Sequence, residues 1–221
     1  LNEQVHSAGA ECGIGFDGDG DRLQMVNQAG ELLTGDDVLY ILAMHHLATG
    51  GSDAGVVGTL MTNMGLELAL EQSGLRLARA KVGDRYVKEL MVSEGWSLGG
   101  ESSGHIICGN LSTTGDGVIA ALQVLSAVVA SGRGLQELTS GFTPLPQVLV
   151  NVRIKKGFDI AAHQVISDTC ERVKRELVGR GRLLLRPSGT EPVIRVMVEG
   201  DETVAIDTLA NEVAEAIRQA A

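Results

Sequence analysis

The sequence predicts an α/β protein in three parts: the end of one α/β domain, a complete α/β domain, and a smaller α+β domain at the C-terminus. Three observations predict this. Strand-like and helix-like segments alternate at short spacing through the middle of the chain, the mark of βαβ units around a largely parallel sheet. Gly141, Pro144 and Pro146 in "LTSGFTPLPQ" then interrupt the pattern, and beyond them strand and helix follow in a different order. Finally, "LNEQVHSAGAECGIGFD" opens the chain as the tail of a helix and a strand whose partners should lie upstream. The expected divisions are 1–30, 31–140 and 141–221.

Each element has its own local reason. "RLQMVNQAGELL" alternates apolar and polar residues around Gln28-Ala29-Gly30, a hairpin pattern. Thr34 and Asp36 precede a helical pattern that Gly50-Gly51 stops. "AGVVGTLM" is a β-rich run, and "NMGLELALEQSG" a helix between Asn63 and Gly74. "LRLARAKV" reads as a strand and "DRYVKELMVSEG" as a helix, with Asp84 as a candidate cap. "SLGGESSGHIICG" forms two short strands around a glycine-rich turn. It leads through "TTGDG" into Val118–Ala130, which reads as a helix buried on most sides and is too short to span a bilayer. After the boundary, "QVLVNVRIK" is a strand, residues 159–178 a helix, "RLLLR" and "PVIRVMVE" two strands, and "TVAIDTLANEVAEAIRQ" a terminal helix.

Composition bounds the function. The 221 residues are 44% hydrophobic with a formal charge of −10, a soluble globular profile that argues against nucleic-acid and anionic-membrane partners. Cys12, Cys108 and Cys170 lack paired spacing and read as reduced thiols of a cytoplasmic protein, with no signal-like opening.

Three constellations carry chemistry. In "FDGDGDR", Asp17, Asp19 and Asp21 alternate with glycines, so an extended loop can turn all three carboxylates to one point. Close carboxylates resist ionising together unless a cation lies between them. An EF-hand loop requires Gly at its sixth position and Glu at its twelfth, where this chain has Arg22 and Gln28. An oxygen-only set favours Mg²⁺ over zinc. In "RPSGTEPVIR", Arg186, Ser188, Gly189, Thr190 and Arg195 offer two guanidinium groups, two hydroxyls and a glycine turn. They suit a phosphate, and composition leaves a plain polar hairpin equally open. In "GESSGH", Glu101, Ser103 and His105 alternate on a turn, suited to sugar hydroxyls or to a Ser/His pair. Lys81, Asp84 and Arg85 stand at a strand-to-helix junction, where open α/β sheets bind ligands. His45 and His46 read as a surface-and-core pair, and Met61, Met64, Met91 and Met197 as core filler.

In this order and at these separations, "FDGDGDR", "GESSGH" and "RPSGTEPVIRVMVEG" resemble the α-D-phosphohexomutases. "GTLMTNMGLELAL", "RAKVGDRYV" and "TTGDGVIAALQVL" are similar to the branch acting on glucosamine phosphates. The resemblance implies a phosphohexomutase-type α/β domain followed by the family's C-terminal domain. It implies Mg²⁺ on Asp17, Asp19 and Asp21, sugar on Glu101 and Ser103, and phosphate on Arg186, Ser188, Gly189, Thr190 and Arg195. Arg22, Lys81, Arg85 and His105 would assist the reacting groups. The implied reaction interconverts glucosamine 6-phosphate and glucosamine 1-phosphate through a phosphoserine and a bisphosphate, toward UDP-N-acetylglucosamine and peptidoglycan. The family's serine loop does not occur here, so the chain is expected to be a C-terminal half, inactive alone. Its strand edge at "ECGIGFD" would await the N-terminal half or a second copy. Mannose or glucose phosphates as substrates, or a non-catalytic sugar-phosphate-binding module, are the alternatives. Ser102, between Glu101 and Ser103, is one place where branches of the family differ.

Overall fold

A computed structural model describes residues 1–155, 157–188 and 191–221. The chain divides into two compact units, Leu1–Thr143 and Pro144–Ala221. The division falls in the Gly/Pro-interrupted stretch.

Unit 1 begins with α1 (Asn2–Ala8), β1 (Cys12–Phe16), β2 (Leu23–Asn27) and β3 (Leu32–Leu33). These strands form an antiparallel sheet in the order β1-β2-β3, with Gly30 at φ 83° turning the β2–β3 hairpin. A left-handed residue is needed there, and glycine adopts it without a steric cost. Next come α2 (Gly35–Ala48), β4 (Gly55–Thr59), α3 (Met64–Gln72), β5 (Arg76–Ala80), α4 (Asp84–Glu94), β6 (Leu98–Gly100), β7 (Ile106–Cys108), α5 (Gly117–Ser131) and α6 (Leu135–Thr139). The sheet runs β5-β4-β6-β7. β4 is parallel to both β5 and β6, and β7 returns antiparallel to β6. Thr34 starts α2 with a full capping box, its hydroxyl accepting from the Asp37 N–H while Asp37 accepts from the Thr34 N–H. Asn63 caps α3 by accepting from the Gly65 N–H at 2.8 Å. One core joins Leu23, Met25, Leu39, Ile41, Leu66, Leu70, Ile106 and Val124 across both sheets and their helices.

Two expectations need correcting here. Asp84 does not cap α4: Gly83 occupies that position and Asp84 is the first helical residue. Nor is α5 buried on most sides. Ala120, Ala121, Val124 and Ala127 face the core, while Val118, Leu122 and Val129 are 49%, 57% and 81% exposed. A helix apolar all round carries no hydrophobic asymmetry to distinguish its covered face from its open one.

Unit 2 contains β8 (Gln147–Arg153), α7 (Gln164–Leu177), β9 (Gly181–Pro187), β10 (Val193–Gly200) and α8 (Ile206–Ala220). The antiparallel sheet runs β8-β10-β9. Ile194, Val196 and Val198 of its central strand pack against Ile166, Val173, Leu209 and Val213 of the two helices. The helix expected over 159–178 is interrupted. Residues Ile160–Ala162 make one 3₁₀ turn, closed by Asp159 accepting from the Ala161 N–H, and His163 is extended at φ −113° before α7 begins. The His163 ring stacks on Phe158 at 4.7 Å, which holds the bend. No helix among the described residues is long and apolar enough to cross a membrane.

Candidate functional site

In unit 1, the loops at the C-terminal ends of the parallel strands meet the aspartate run, where open α/β sheets hold ligands. The connection starts in the backbone. The Leu23 N–H donates to the Gly104 carbonyl at 3.0 Å, and Arg22 bridges antiparallel to His105. This backbone contact lays "DGDR" against "GESSGH". Side chains then lock it: His105, only 6% exposed, sets its Nδ1 3.0 Å from Asp21 Oδ2. Its Nε2 is buried with no hydrogen-bond partner among the described residues. Gly115 lies so close that an added Cβ would stand 2.1 Å from Nε2, so only glycine leaves room for the ring. The neighbouring residues serve the same junction. Asp116 caps α5 by accepting from the N–H groups of Val118 and Ile119 at 2.9 Å, and the Gly117 N–H donates to the Gly20 carbonyl at 2.9 Å.

Within the aspartate run, the Asp21 side chain acts on the Asp17 carboxyl. Desolvation pushes Asp17 up. The Arg22 backbone N–H, the Asp21 side chain, the Gly20 N–H and the Arg22 guanidinium together outweigh it and hold Asp17 below its usual 3.8. Arg22 Nε stands 3.8 Å from Asp17 Oδ2. Asp19 is exposed, and among the described residues no group of three His, Cys, Asp or Glu side chains converges as a metal site. The run therefore brings two of the three aspartates together. That pair still fits a hard divalent cation: two oxygen donors of like charge sit side by side, and Gly18 and Gly20 leave open space beside them.

Glu101 ties the next loop in. Its Oε1 accepts from the Gly83 N–H at 2.8 Å and its Oε2 from the Ser103 hydroxyl at 3.4 Å. "KVGDRY" and "GESSGH" are thus joined through one carboxylate. Lys81 Nζ lies 5.7 Å from the Tyr86 ring centre, and Arg85 Nε donates to Glu89 at 2.8 Å along its own helix. Both are exposed, and no hydrogen bond or ion pair joins either to the aspartates among the described residues.

In unit 2, antiparallel register sets Arg186 of β9 directly opposite Arg195 of β10. Like charges directly opposite destabilise a sheet pair, and an anion between them reverses the sign. Glu191 stands 4.0 Å from Arg195. Ser188 closes the intervening turn: its N–H donates to the Val193 carbonyl at 2.8 Å, and its hydroxyl accepts from the Glu191 N–H at 3.3 Å. Gly189 and Thr190 lie outside the described residues.

Some site residues escape a reading of the sequence. Asp36 looks like an ordinary acidic residue in a helix's first turn, and Gly115 like loop glycine. Only spacing along the chain is visible there, and both matter through contacts made far away.

A cross-strand arginine pair, an aspartate loop packed on glycine-bearing loops at parallel strand ends and a separate α+β unit define an α/β protein of the phosphohexomutase type. Residues 34–145 match the phosphoglucomutase/phosphomannomutase α/β/α domain III, and residues 149–216 match the C-terminal domain of the same family. The chain belongs to the phosphoglucomutase/phosphomannomutase family. Among curated relatives, it is 51% identical to the phosphoglucosamine mutase of Cellvibrio japonicus and 52% identical to that of Aeromonas hydrophila. Each alignment covers 100% of this chain and 49% and 50% of the relative, so the chain spans about half the length of the curated relatives it matches. The fold is also that of a phosphoglucomutase/phosphomannomutase family protein from Burkholderia thailandensis, with a TM-score of 0.76 at 22% identity over 100% of this chain and 49% of that one. Aspergillus fumigatus N-acetylphosphoglucosamine mutase, crystallised with GlcNAc-6P and magnesium, aligns at a TM-score of 0.72 and 22% identity over 92% of this chain and 51% of its own.

Proposed function

We propose that this chain is the C-terminal part of a phosphoglucosamine mutase that interconverts glucosamine 6-phosphate and glucosamine 1-phosphate. The identity of about half its residues with enzymes of that name, along its full length, supports the substrate. The single geometric observation that carries the reading is the 3.0 Å contact between His105 and Asp21, which joins the aspartate loop to the sugar loop. The proposed parts are an N-terminal remnant at 1–30, a sugar-binding domain at 31–140 and a phosphate-binding domain at 141–221.

The chemistry is phosphoryl transfer by positioning and charge neutralisation. A Mg²⁺ ion held by Asp17 and Asp21, with Asp19 completing the set, would neutralise charge on the transferring phosphoryl group. Glu101 and Ser103 hold sugar hydroxyls, kept at one side by their mutual hydrogen bond. Arg186 and Arg195 grip the phosphate that does not react, with Ser188, Gly189 and Thr190 as the turn. Arg22 and His105 hold the two acidic side chains in place, and the exposed Arg22 guanidinium stands ready to donate to the reacting phosphoryl oxygens. Lys81 and Arg85 supply further positive charge beside the sugar loop. The serine that carries the phosphoryl group belongs outside these 221 residues, so the chain alone does not turn over substrate.

Calorimetric binding of glucosamine 6-phosphate, with and without Mg²⁺ and in competition with mannose and glucose 6-phosphates, tests this reading. Preference for the amino sugar is expected, with binding of all three sugars weakened in Arg186→Ala. Equal binding of all three sugars overturns the glucosamine assignment, and mutase turnover by the pure chain overturns the placement of the serine.

A further inference from the structure

Beneath the sugar loop lies a buried carboxylate that the proposed chemistry does not use. Asp36, 4% exposed, is the second residue of α2. Its Oδ1 accepts from the Ser102 hydroxyl at 2.9 Å, and its Oδ2 accepts from the Asn63 N–H at 2.9 Å. Ser102 lies 66 residues away in the loop after β6, and Asn63 lies 27 residues away in the loop after β4. The backbone supports the same tie, since the Gly35 N–H donates to the Ser102 carbonyl at 3.0 Å. At Gly35 an added Cβ would fall 2.0 Å from the Glu101 carbonyl oxygen, so the start of α2 and the sugar loop are in tight contact. Ser102 is therefore held inward at both its hydroxyl and its carbonyl. Its neighbours Glu101 and Ser103 meet each other instead, with Ser103 exposed.

We infer that Asp36 is a positioning residue for the sugar loop: by holding Ser102 inward it turns Glu101 and Ser103 together to the side where substrate binds. The inference rests on the reading of Glu101 and Ser103 as sugar-holding groups. It changes the meaning of position 102. Ser102 does not face the sugar, and a different residue there alters selectivity by moving its two neighbours. Burial agrees with a built-in role: it pushes the Asp36 carboxyl up to about 6, against the hydrogen bonds from Asn63 and Ser102 and the pull of Arg79, with Asp37 adding to the rise. A protonated or ionised Asp36 can accept from both partners, so the tie does not depend on its charge.

The test compares Asp36→Ala, Asp36→Asn, Ser102→Ala, Ser102→Thr and the Asp36→Ala/Ser102→Ala double variant of the whole chain. Amide exchange reads loop order without any ligand, and calorimetry reads affinity for glucosamine 6-phosphate and for inorganic phosphate. Losing a hydrogen bond to a buried carboxylate is expected to speed exchange at Gly35 and Gly104 about 10-fold and to weaken glucosamine 6-phosphate about 10-fold. Exchange at Val56 and Val57 in the core strand, and inorganic phosphate affinity, stay as in wild type. The double variant is no worse than Asp36→Ala, which already lacks the Ser102 bond together with the one from Asn63, and Asn and Thr restore the Asp36–Ser102 tie. Should Asp36→Ala not fold, Ser102→Ala carries the same comparison. Unchanged loop exchange in a folded alanine variant, additive losses, or failure of Asn and Thr to rescue overturns the inference. A wild-type chain that binds no glucosamine 6-phosphate refutes the sugar reading, while the exchange measurement still decides whether Asp36 holds the loop.

Discussion

Unit 1 places two carboxylates side by side and unit 2 two arginines, and the two pairs are built by different means. Arg186 and Arg195 meet because neighbouring strands put them in register across a short turn. Asp17 is held by nearby groups, the Arg22 and Gly20 N–H and the Arg22 guanidinium. Asp21 is held from far away by His105, at a separation of 84 residues, and the loop itself by the start of α5 through Gly117. The arginine pair of unit 2 is a local product of hairpin geometry. The carboxylate pair of unit 1 gains its full set of contacts only when several loops have assembled. A change in unit 2 should therefore act on one ligand group, whereas changes in unit 1 should spread across metal, sugar loop and stability.

The largest expected contrast is in pH dependence. Asp36 has a folded pKa of about 6 against 3.8 for the ordinary carboxyl. The folded chain thus keeps a proton that the unfolded chain has lost, so the stabilisation is complete below 3.8 and disappears as pH rises through 6. At about 1.4 kcal/mol per pKa unit, unit 1 should lose about 3 kcal/mol over that range from this group. Trp96, the chain's single tryptophan, lies in unit 1 and reports its urea unfolding by fluorescence. Asp36→Asn should flatten that slope, and a slope unchanged in the variant would assign the pH dependence elsewhere.

Next in size is Arg186→Ala, which should weaken phosphate binding about 10- to 100-fold, the worth of a charged, forked contact. In the absence of phosphate the same variant should leave unit 2 as stable or slightly more so, because the like-charge opposition is gone. Stability lost without ligand would mean that Arg186 packs and does not clamp. Arg186→Lys keeps the charge but not the fork, and should recover only part of the affinity.

A smaller effect is expected from Gly115→Ala. Displacing the His105 ring releases Asp21, and loss of such a supporting contact lowers metal affinity about 10-fold. Titration with Mg²⁺ or Mn²⁺ measures this, with phosphate binding to unit 2 unchanged. Equal metal affinity in the variant would detach His105 from the metal site. Smallest is Thr34→Ala, which removes the capping box beneath the same loops and should cost about 1 kcal/mol in Trp96-detected unfolding.

Where a contact lies near its partner in the chain, it was legible. Thr34 and Asn63 announced their helices because a cap reaches only two or three residues ahead. Gly30 marked the β2–β3 hairpin, and Gly50, at φ 82°, lies just past the end of α2. The motif residues of unit 2 were legible as a set because one hairpin holds them. The break at His163 was missed because it depends on a ring stacking on Phe158 and not on helix propensity. The open face of α5 was missed because Val118, Leu122 and Val129 are as apolar as the residues on its covered face. The aspartate run was recognisable as acidic and glycine-rich, but nothing in its spacing indicated that Asp21 would be the one to meet His105.

Amino-acid order alone was enough for the α/β and α+β character of the two units, the break between them and the acidic, sugar-loop and basic motifs. These follow from short-range physics: periodicity, caps, turn chemistry and the identity of charged groups. The folded chain chose which groups meet. It set His105 on Asp21, Glu101 on the Gly83 N–H, and Asp36 between Ser102 and Asn63. Burial and close approach are properties of surfaces brought together from distant parts of the chain, and they turn an ordinary first-turn aspartate into the support of a binding loop.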